Sequence, residues 1–337
     1  MNKLENNVAG ATHAAARDGA VTQALSLYRV ELTGYCYRML GSAFEAEDAV
    51  QETSVRAWRG FDQFEQRASM RSWLYRIATN VCLSMVSARQ RRARPMDLGP
   101  AWSADSAIGA ALDESTWIEP IPDAIALPLH ADPVEQLVAR ESIRLAFITA
   151  LQVLPARQRA VLILCDVLHW QAHEVADLLG TTEVSVQSAL QRARATLDAK
   201  RPKHGTEEQR PALRNATERA LLDRYVDAFT RFDIDQLVSL LHEDATLSMP
   251  PYALWLQGTE EIRRWWHGPG AKCAGSRVVR VAANGSPAIA QYRPSESDGY
   301  APFAIHVLDI VGDRIVAQNS FLDTARLFPL FGLPARP

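Results

Sequence analysis

The stretch HEVADLLGTTEVSVQSALQRAR, His173–Arg194, decides how the middle of this chain folds. Gly180 follows an apolar-periodic segment, where glycine readily adopts the left-handed conformation that ends a helix. Thr182 can then cap the next helix through its hydroxyl. A helix-turn-helix needs a small residue where its helices cross, a turn glycine four residues later and an apolar residue six beyond that. Ala176, Gly180 and Val186 meet this spacing and predict a helix-turn-helix over 171–191, although a helical bundle without a DNA role stays open.

The outward side of the second predicted helix is polar. Short polar groups and arginines are the side chains that contact base edges and phosphates in a major groove. The predicted DNA-binding residues of this motif are Thr182, Glu183, Ser185, Gln187, Ser188, Gln191, Arg192 and Arg194.

A second basic helix lies upstream. Its apolar residues recur at helical spacing from Met70 to Met85, and it leads into Arg89, Arg91, Arg92 and Arg94. These arginines either complement the helix dipole or contact phosphates. The preceding loop carries Phe61 and Phe64, which either stack on unpaired bases or anchor the loop in the core.

Charge divides the 337 residues more clearly than the net value of −3 does. Residues 1–95 and 139–205 are mildly basic, whereas 96–138 hold eight acidic residues and no lysine or arginine. Six prolines also interrupt this acidic linker between Pro95 and Pro133. It either rests on a neighbouring domain or docks in an extended form into a basic channel of a partner.

Other classes are disfavoured. Hydrophobic residues make up 47% of the chain, which is typical of globular proteins, and no run is apolar and long enough for a membrane span. The four cysteines form no CxxC pair, so neither a metal site nor a dithiol motif is indicated. Because the N-terminus has no signal-peptide pattern, we expect a cytoplasmic protein. We also expect no cofactor.

These motifs together resemble the extracytoplasmic-function (ECF) type of sigma-70 family sigma factor. Ala46–Trp58 is similar to region 2.2, Met70–Cys82 to regions 2.3–2.4, and Leu154–Arg194 to region 4. The resemblance implies binding to core RNA polymerase through its β′ clamp helices and β flap, and promoter-specific initiation. The domains it implies are region 2 over 22–95, the linker over 96–138 and region 4 over 139–200.

The resemblance also implies residue roles. Region 4 would read the −35 element with the outward helix-turn-helix residues, and the acidic linker would thread the polymerase channel. Core polymerase would be bound by Asp48, Ala49, Val50, Gln51 and Glu52. The −10 element would be bound by Phe64, Arg71, Trp73, Tyr75, Arg76 and Asn80.

Residues 212–337 add helices followed by strand-like runs such as SRVVRVAANG and APFAIHVLDIVG. This order resembles a SnoaL-like, α+β cone-fold domain, and the whole chain resembles the ECF subgroup that carries one. In that subgroup the extension is thought to regulate the sigma factor in cis. A pocket of this fold could bind a small ligand, and its candidate lining residues are Tyr252, Trp255, Trp265 and Asp323.

Two other functions stay open at this point. The pocket could be an enzyme's active site, which would need an acid/base pair inside it. Alternatively, the helix-turn-helix could belong to a DNA-binding regulator that never contacts polymerase. We favour a sigma factor that is not an enzyme, because the motifs of both sigma regions occur in the expected order.

Overall fold

The structure is a computed structural model that describes residues 2–64, 69–87, 91–128, 132–200, 211–295 and 299–336. Loop residues 65–68, Arg89 and the predicted boundary at 201–210 lie outside the described residues. The chain forms two compact units, each discontinuous in sequence. The first comprises Met1–Arg89, Ile125–Ala131 and Ala150–Lys200, and the second comprises Gln90–Ala124, Asp132–Thr149 and Arg201–Pro337.

The described residues up to Lys200 contain nine α-helices and no strand of the sheet. Their bounds are α1 Asn2–Leu40, α2 Ala43–Gly60, α3 Met70–Ser87, α4 Asp123–Ala126, α5 Pro133–Glu141, α6 Leu145–Gln152, α7 Ala156–Leu162, α8 Ala172–Leu179 and α9 Glu183–Lys200. A π-helical segment, Ile163–Val167, continues α7.

The first unit is built around the packing of α1, α2 and α3. Tyr35 and Tyr75 are fully buried there, with their rings edge to face and 5.1 Å between centroids. The Tyr35 hydroxyl is hydrogen-bonded to Thr79 Oγ1 at 2.7 Å, which satisfies its polar end. Gly34 of α1 faces the carbonyl of Ala126, and a Cβ at this position would lie 2.5 Å from that oxygen. Glycine therefore allows the last residue of α4 to approach α1.

The second unit contains an α+β domain. Its elements are α10 Pro211–Arg231, α11 Ile234–Ser239, β1 Leu241–Ser248, β2 Trp255–Gln257, α12 Thr259–His267, β3 Arg277–Ala283, β4 Ser286–Ser295, β5 Gly299–Val311, β6 Arg314–Phe321 and α13 Thr324–Leu330. The six strands follow the order β2-β1-β6-β5-β4-β3, in which only the β1–β6 pair is parallel.

The core of this domain lies between the sheet and the helices α10 to α12. Tyr225 and Phe229 of α10 and Trp266 of α12 are buried in one apolar cluster with Leu247 and Leu308 of the sheet. Register shifts in the β4–β5 and β5–β6 pairs interrupt the ladder, which is how antiparallel sheets bend. The predicted fold class, two helical domains followed by an α+β domain, is confirmed.

The two compact units do not follow the domain order inferred from the sequence, because two regions before residue 150 belong to the second unit. Residues 96–124 of the acidic linker belong to the second unit together with the preceding residues from 91, and so do α5 and the start of α6. Contacts with the C-terminal domain, described below, are responsible. The domain boundaries inferred from the sequence stay predictions.

Candidate functional site

The helix-turn-helix has the local geometry that the sequence predicted. Gly180 ends α8 with a left-handed φ of 61°, and Thr181 N donates to the Ala176 carbonyl at 2.9 Å. Ser185 N donates to Thr182 Oγ1 at 3.2 Å, so the predicted cap of α9 is also present. Val186 and Ala176 are buried where the two helices meet.

Most of the predicted DNA-binding residues of this motif are exposed. The exposed ones are Thr182, Glu183, Ser185, Gln187, Gln191, Arg192 and Arg194, whereas Ser188 is half-buried. Arg194 already forms a bidentate ion pair with Asp166, at 2.6 and 3.0 Å. Arg192 is therefore the more available cation on α9. Val184, which was not among the predicted residues, is 71% exposed among these polar groups.

Several residues of α3 that were predicted to bind the −10 element contact other residues of the first unit. Tyr75 is fully buried, with its ring 5.2 Å from that of Trp170, and its contact with DNA stays a prediction. Arg71 forms an ion pair with Glu31 at 2.9 Å, and Arg76 donates to the Asp177 carbonyl at 3.3 Å.

The aromatic loop residue Phe64 packs on Trp73, with 4.9 Å between ring centroids. Phe61 completes this cluster at 6.0 and 6.1 Å from the two rings. Both Phe64 and Trp73 stay half-buried, and Asn80 is exposed further along α3. The contacts among Phe61, Phe64 and Trp73 therefore anchor the loop, and part of the Phe64 and Trp73 side chains stays exposed.

The predicted polymerase-binding motif lies on α2, and only part of it reaches the surface. Asp48 and Gln51 are exposed, and the half-buried Glu52 forms an ion pair with Arg56 at 2.7 Å. Ala49 and Val50 are buried and their side chains hold α2 in the core, so their contact with polymerase stays a prediction.

The acidic linker is attached to the C-terminal domain by backbone and indole hydrogen bonds. Trp102 N donates to the Trp255 carbonyl at 2.8 Å, and Trp255 Nε1 donates to the Gly99 carbonyl at 3.0 Å. Ala104 N donates to Glu261 Oε2 at 2.7 Å. Trp255 is thus a residue that holds the linker, and its place in the pocket wall stays a prediction.

Acidic side chains of the linker form ion pairs with arginines of the C-terminal domain. Asp105 is paired with Arg264 of α12, and Glu114 is paired with Arg326 of α13. Glu119 lies 3.3 Å from Arg326 and is buried. Arg92, which precedes the linker, is buried, and its guanidinium donates to the linker carbonyls of Glu114 and Trp117 rather than pointing at a phosphate. Of the two placements left open by the sequence, the structure contains the one in which the linker rests on a neighbouring domain.

The β3–β4 turn forms the most buried of these attachments. Asn284 has a φ of 54°, which asparagine tolerates, and its side chain is fully buried. Its Oδ1 accepts from Ile121 N at 3.0 Å, and its Nδ2 donates to the Ile143 carbonyl at 2.9 Å. Gly285 N donates to Asp123 Oδ1 at 2.7 Å. We call Asn284, Gly285 and their partners Ile121, Asp123 and Ile143 the linker clasp.

A cavity of about 270 Å³ lies between the helices and the sheet of the C-terminal domain. Tyr252 and Trp265 line it, as predicted from the sequence, whereas Asp323 lies outside its wall at the start of α13. The Asp323 carboxylate lies 3.5 Å from Arg326, and its role in the pocket stays a prediction. Among the described lining residues there is no Asp or Glu.

A neutral polar network forms one side of the cavity around His306. Its Nε2 lies 2.8 Å from Gln291 Oε1, and its Nδ1 lies 2.8 Å from Ser320 Oγ. Because an amide oxygen can only accept, Nε2 carries the proton and Nδ1 accepts. Burial, assisted by the positive charge of Arg293, lowers the pKa of His306 to about 3. The imidazole is therefore neutral at physiological pH.

This shifted pKa predicts a loss of stability on acidification. Between about pH 6.5 and pH 3 the unfolded chain binds a proton at His306 that the folded chain does not, so stability falls as pH falls, by about 1.4 kcal/mol per pH unit. Urea unfolding of the full chain at several pH values measures this slope. His306→Gln should lower the slope over this range, whereas His242→Gln should retain it; equal slopes for wild type and His306→Gln would contradict the prediction.

The described residues contain no helix that is long and apolar enough to cross a membrane. They also contain no cluster of three or more His, Cys, Asp or Glu side chains arranged for a metal ion. What the structure offers is a helix-turn-helix, a basic aromatic helix and a domain with an internal cavity.

Comparison with known proteins assigns each of these parts. Residues 25–92 match the sigma-70 region 2 family, 144–197 match sigma-70 region 4, and 222–318 match the SnoaL-like domain family. The chain is thus a protein of the sigma-70 class with an appended SnoaL-like domain.

Relatives define the family more closely. The ECF RNA polymerase sigma factor SigG of Mycobacterium tuberculosis is 46% identical over 309 residues, which cover 91% of this chain and 82% of the relative. SigJ of the same organism is 30% identical over 226 residues, 65% of this chain and 62% of that protein. The crystal structure of SigJ has the same fold, with a TM-score of 0.59, 21% identity and coverage of 94% of this chain and all of that one. This chain belongs to the ECF RNA polymerase sigma factors.

Proposed function

We propose that this protein binds core RNA polymerase and directs it to promoters, with residue roles divided among three surfaces. The observation that carries this proposal is the conjunction of the exposed carboxylate and amide of α2 with a complete helix-turn-helix in one chain. Asp48, Gln51 and Glu52 would contact the β′ clamp helices. Region 4, over 139–200, would contact the β flap and the −35 element.

The −10 element would be bound by the exposed or half-buried residues of α3 and its loop. These are Phe64, Arg71, Trp73, Arg76 and Asn80. Arg71 packs on Trp170 and Arg76 bonds to the Asp177 carbonyl, so both must leave these partners to contact DNA. We therefore infer that region 2 and region 4 separate when the protein acts with polymerase in the cytoplasm.

Run-off transcription tests the proposal directly. Core polymerase with the full chain should initiate at a defined promoter where core polymerase alone does not. The templates are a library of promoter fragments, because the sequence of the element is a further result of the experiment. Failure to initiate specifically on any fragment would contradict the proposed function.

We also propose that the C-terminal domain regulates the sigma factor in cis by retaining the linker. A linker that is bonded to Trp255, Arg326, Asn284 and Gly285 cannot at the same time enter a polymerase channel. Retention should therefore lower initiation until polymerase displaces the linker.

Asn284→Gly tests this retention. The change keeps the positive φ but removes both side-chain hydrogen bonds of the linker clasp, each of which contributes about 1 kcal/mol. We expect faster proteolysis within 91–124 and more run-off transcript than the wild type gives. Asp313→Gly, in the exposed β5–β6 turn, is the matched control and should change neither. Unaltered proteolysis and transcription in Asn284→Gly would refute retention by this turn.

Arg192→Ala tests the −35 role of α9. Arg192 is exposed and is not held in an ion pair among the described residues, so its loss should weaken promoter binding without unfolding the helix. If it contacts phosphate, affinity falls uniformly across sequences and the salt dependence becomes shallower; if it reads a base, about 1–3 kcal/mol of discrimination is lost at one position. Binding to a promoter series at several salt concentrations, with holoenzyme, separates these outcomes. No change in affinity at any sequence or salt would exclude Arg192 from the interface.

A further inference from the structure

The cavity of the C-terminal domain has an apolar body and one charged end. Its apolar lining comes from both the helices and the sheet, and it includes Phe229, Leu247, Met249, Trp265 and Phe303. A volume of about 270 Å³ is at the small end of ligand sites, which run from about 300 to 1,000 Å³. It suits a flat molecule of one or two rings.

Arg293 supplies the charged end. Its guanidinium carbon lies 3.4 Å from the centroid of the Phe303 ring, and its Nη2 donates to Cys273 Sγ at 3.1 Å, a weak acceptor. Its Nε is buried and has no hydrogen-bond partner among the described residues. No described carboxylate is paired with Arg293 either. A buried donor of this kind in a cavity wall calls for an acceptor that the described protein groups do not provide.

The polar groups around His306 are committed to one another, and Lys272, a second cation among the lining residues, is exposed at the rim. Tyr225 donates to Gln318 Oε1 at 3.0 Å, and Gln318 Nε2 lies 3.3 Å from both His306 Nδ1 and Ser320 Oγ. The imidazole of His306 uses both of its nitrogens in this network. No described lining residue is Asp or Glu, and His306 is held in this network, so the wall is suited to binding.

Ile108 connects this cavity to the acidic linker. It lines the cavity, yet 43% of it is exposed, so it lies at the rim and does not fill the interior. An apolar molecule in the cavity would cover part of the exposed surface of Ile108. Because linkage is reciprocal, a ligand that contacts Ile108 strengthens attachment of the linker, and an attached linker strengthens binding of the ligand.

We infer that this cavity binds a small aromatic carboxylate, with the ring among the apolar residues and the carboxylate on Arg293, and that the bound molecule holds the linker on the C-terminal domain. The regulatory part of this inference rests on the proposed retention of the linker. The binding part stands on the cavity alone.

The experiment uses the full chain and two probes of equal size, 2-naphthoate and the uncharged 2-naphthamide. Calorimetric titration at pH 7 should give roughly tenfold tighter binding for the carboxylate. Arg293→Met keeps much of the apolar stem and should reduce the preference to near one, whereas Arg293→Lys should retain part of it. Arg280→Met, on the exposed side of β3, is the matched control and should behave as the wild type does.

Ile108→Ser tests the link to the linker. We expect it to weaken both probes by roughly threefold, and we expect 2-naphthoate to slow proteolysis within 91–124 in the wild type but not in Arg293→Met. Absence of saturable binding, or a carboxylate preference that survives Arg293→Met, would overturn the assignment of the site. Binding without any effect on proteolysis would overturn the regulatory part. None of these measurements involves polymerase, so a failure here is distinguishable from a failure of the run-off experiment.

Discussion

Combined replacement of Asp48 and Gln51 by alanine is expected to abolish binding to core polymerase and promoter-specific transcription. Both side chains are exposed on α2, so their removal should leave the helix and its buried face intact. Truncation of an interface hot spot costs about 2 kcal/mol or more, so the pair would lower affinity roughly a thousandfold if the two effects add. Co-purification with core polymerase and run-off transcription measure the two effects.

The design separates an interface effect from general damage. Asp223→Ala removes an exposed carboxylate from α10 and should leave polymerase binding unchanged. The double variant should also bind isolated promoter DNA with the same affinity as the wild type. Retention of polymerase binding in Asp48→Ala/Gln51→Ala would favour the alternative of a DNA-binding regulator that acts without polymerase.

Arg159→Met is expected to cause the largest loss of stability in the first unit. The guanidinium of Arg159 is buried and donates to the Met39 carbonyl, to Gln152 Oε1 at 2.7 Å, and to the carbonyls of Gln152 and Leu154 at 3.2 Å. Methionine fills a similar volume but leaves these acceptors without the donor. Each buried unsatisfied group costs about 1–3 kcal/mol, so we expect a loss of about 3–5 kcal/mol.

Urea unfolding of the full chain, followed by circular dichroism at a helical wavelength, measures this loss as a lower transition midpoint. Arg157→Met is the matched control, because Arg157 lies on the same helix but is exposed, and it should change stability by less than about 0.5 kcal/mol. Similar midpoints for Arg159→Met and Arg157→Met would show that the buried network adds little.

Local features were predictable because short-range sequence determines them. The turn at Gly180 and the cap at Thr182 depend on residues within a few positions, and both occur as expected. The strands β3 to β6 were also indicated by runs of alternating or apolar residues between turn signals. The short β2 was not, because three residues carry too little pattern.

Residue roles were less predictable, because helical periodicity does not say which partner covers a face. Tyr75 has the spacing of a surface aromatic residue on α3, yet Trp170 and Tyr35 enclose it. Arg159 looks like another surface arginine of a basic segment, yet acceptors from α1 and from the segment before α7 surround it. Val184 could have been found as an apolar residue on the polar side of α9.

The sequence by itself determined the order of sigma regions, the helix-turn-helix and the α+β class of the C-terminal domain, since these follow from spacing along the chain. Only the tertiary structure decided where the eight acidic residues of the linker lie and what faces the cavity. The reason is that Asp105 and Arg264, or Ile121 and Asn284, are more than 150 positions apart, and no local pattern couples residues at that separation. Charge alone fitted a polymerase channel and a neighbouring domain equally well, and hydrogen bonds between distant segments selected the domain.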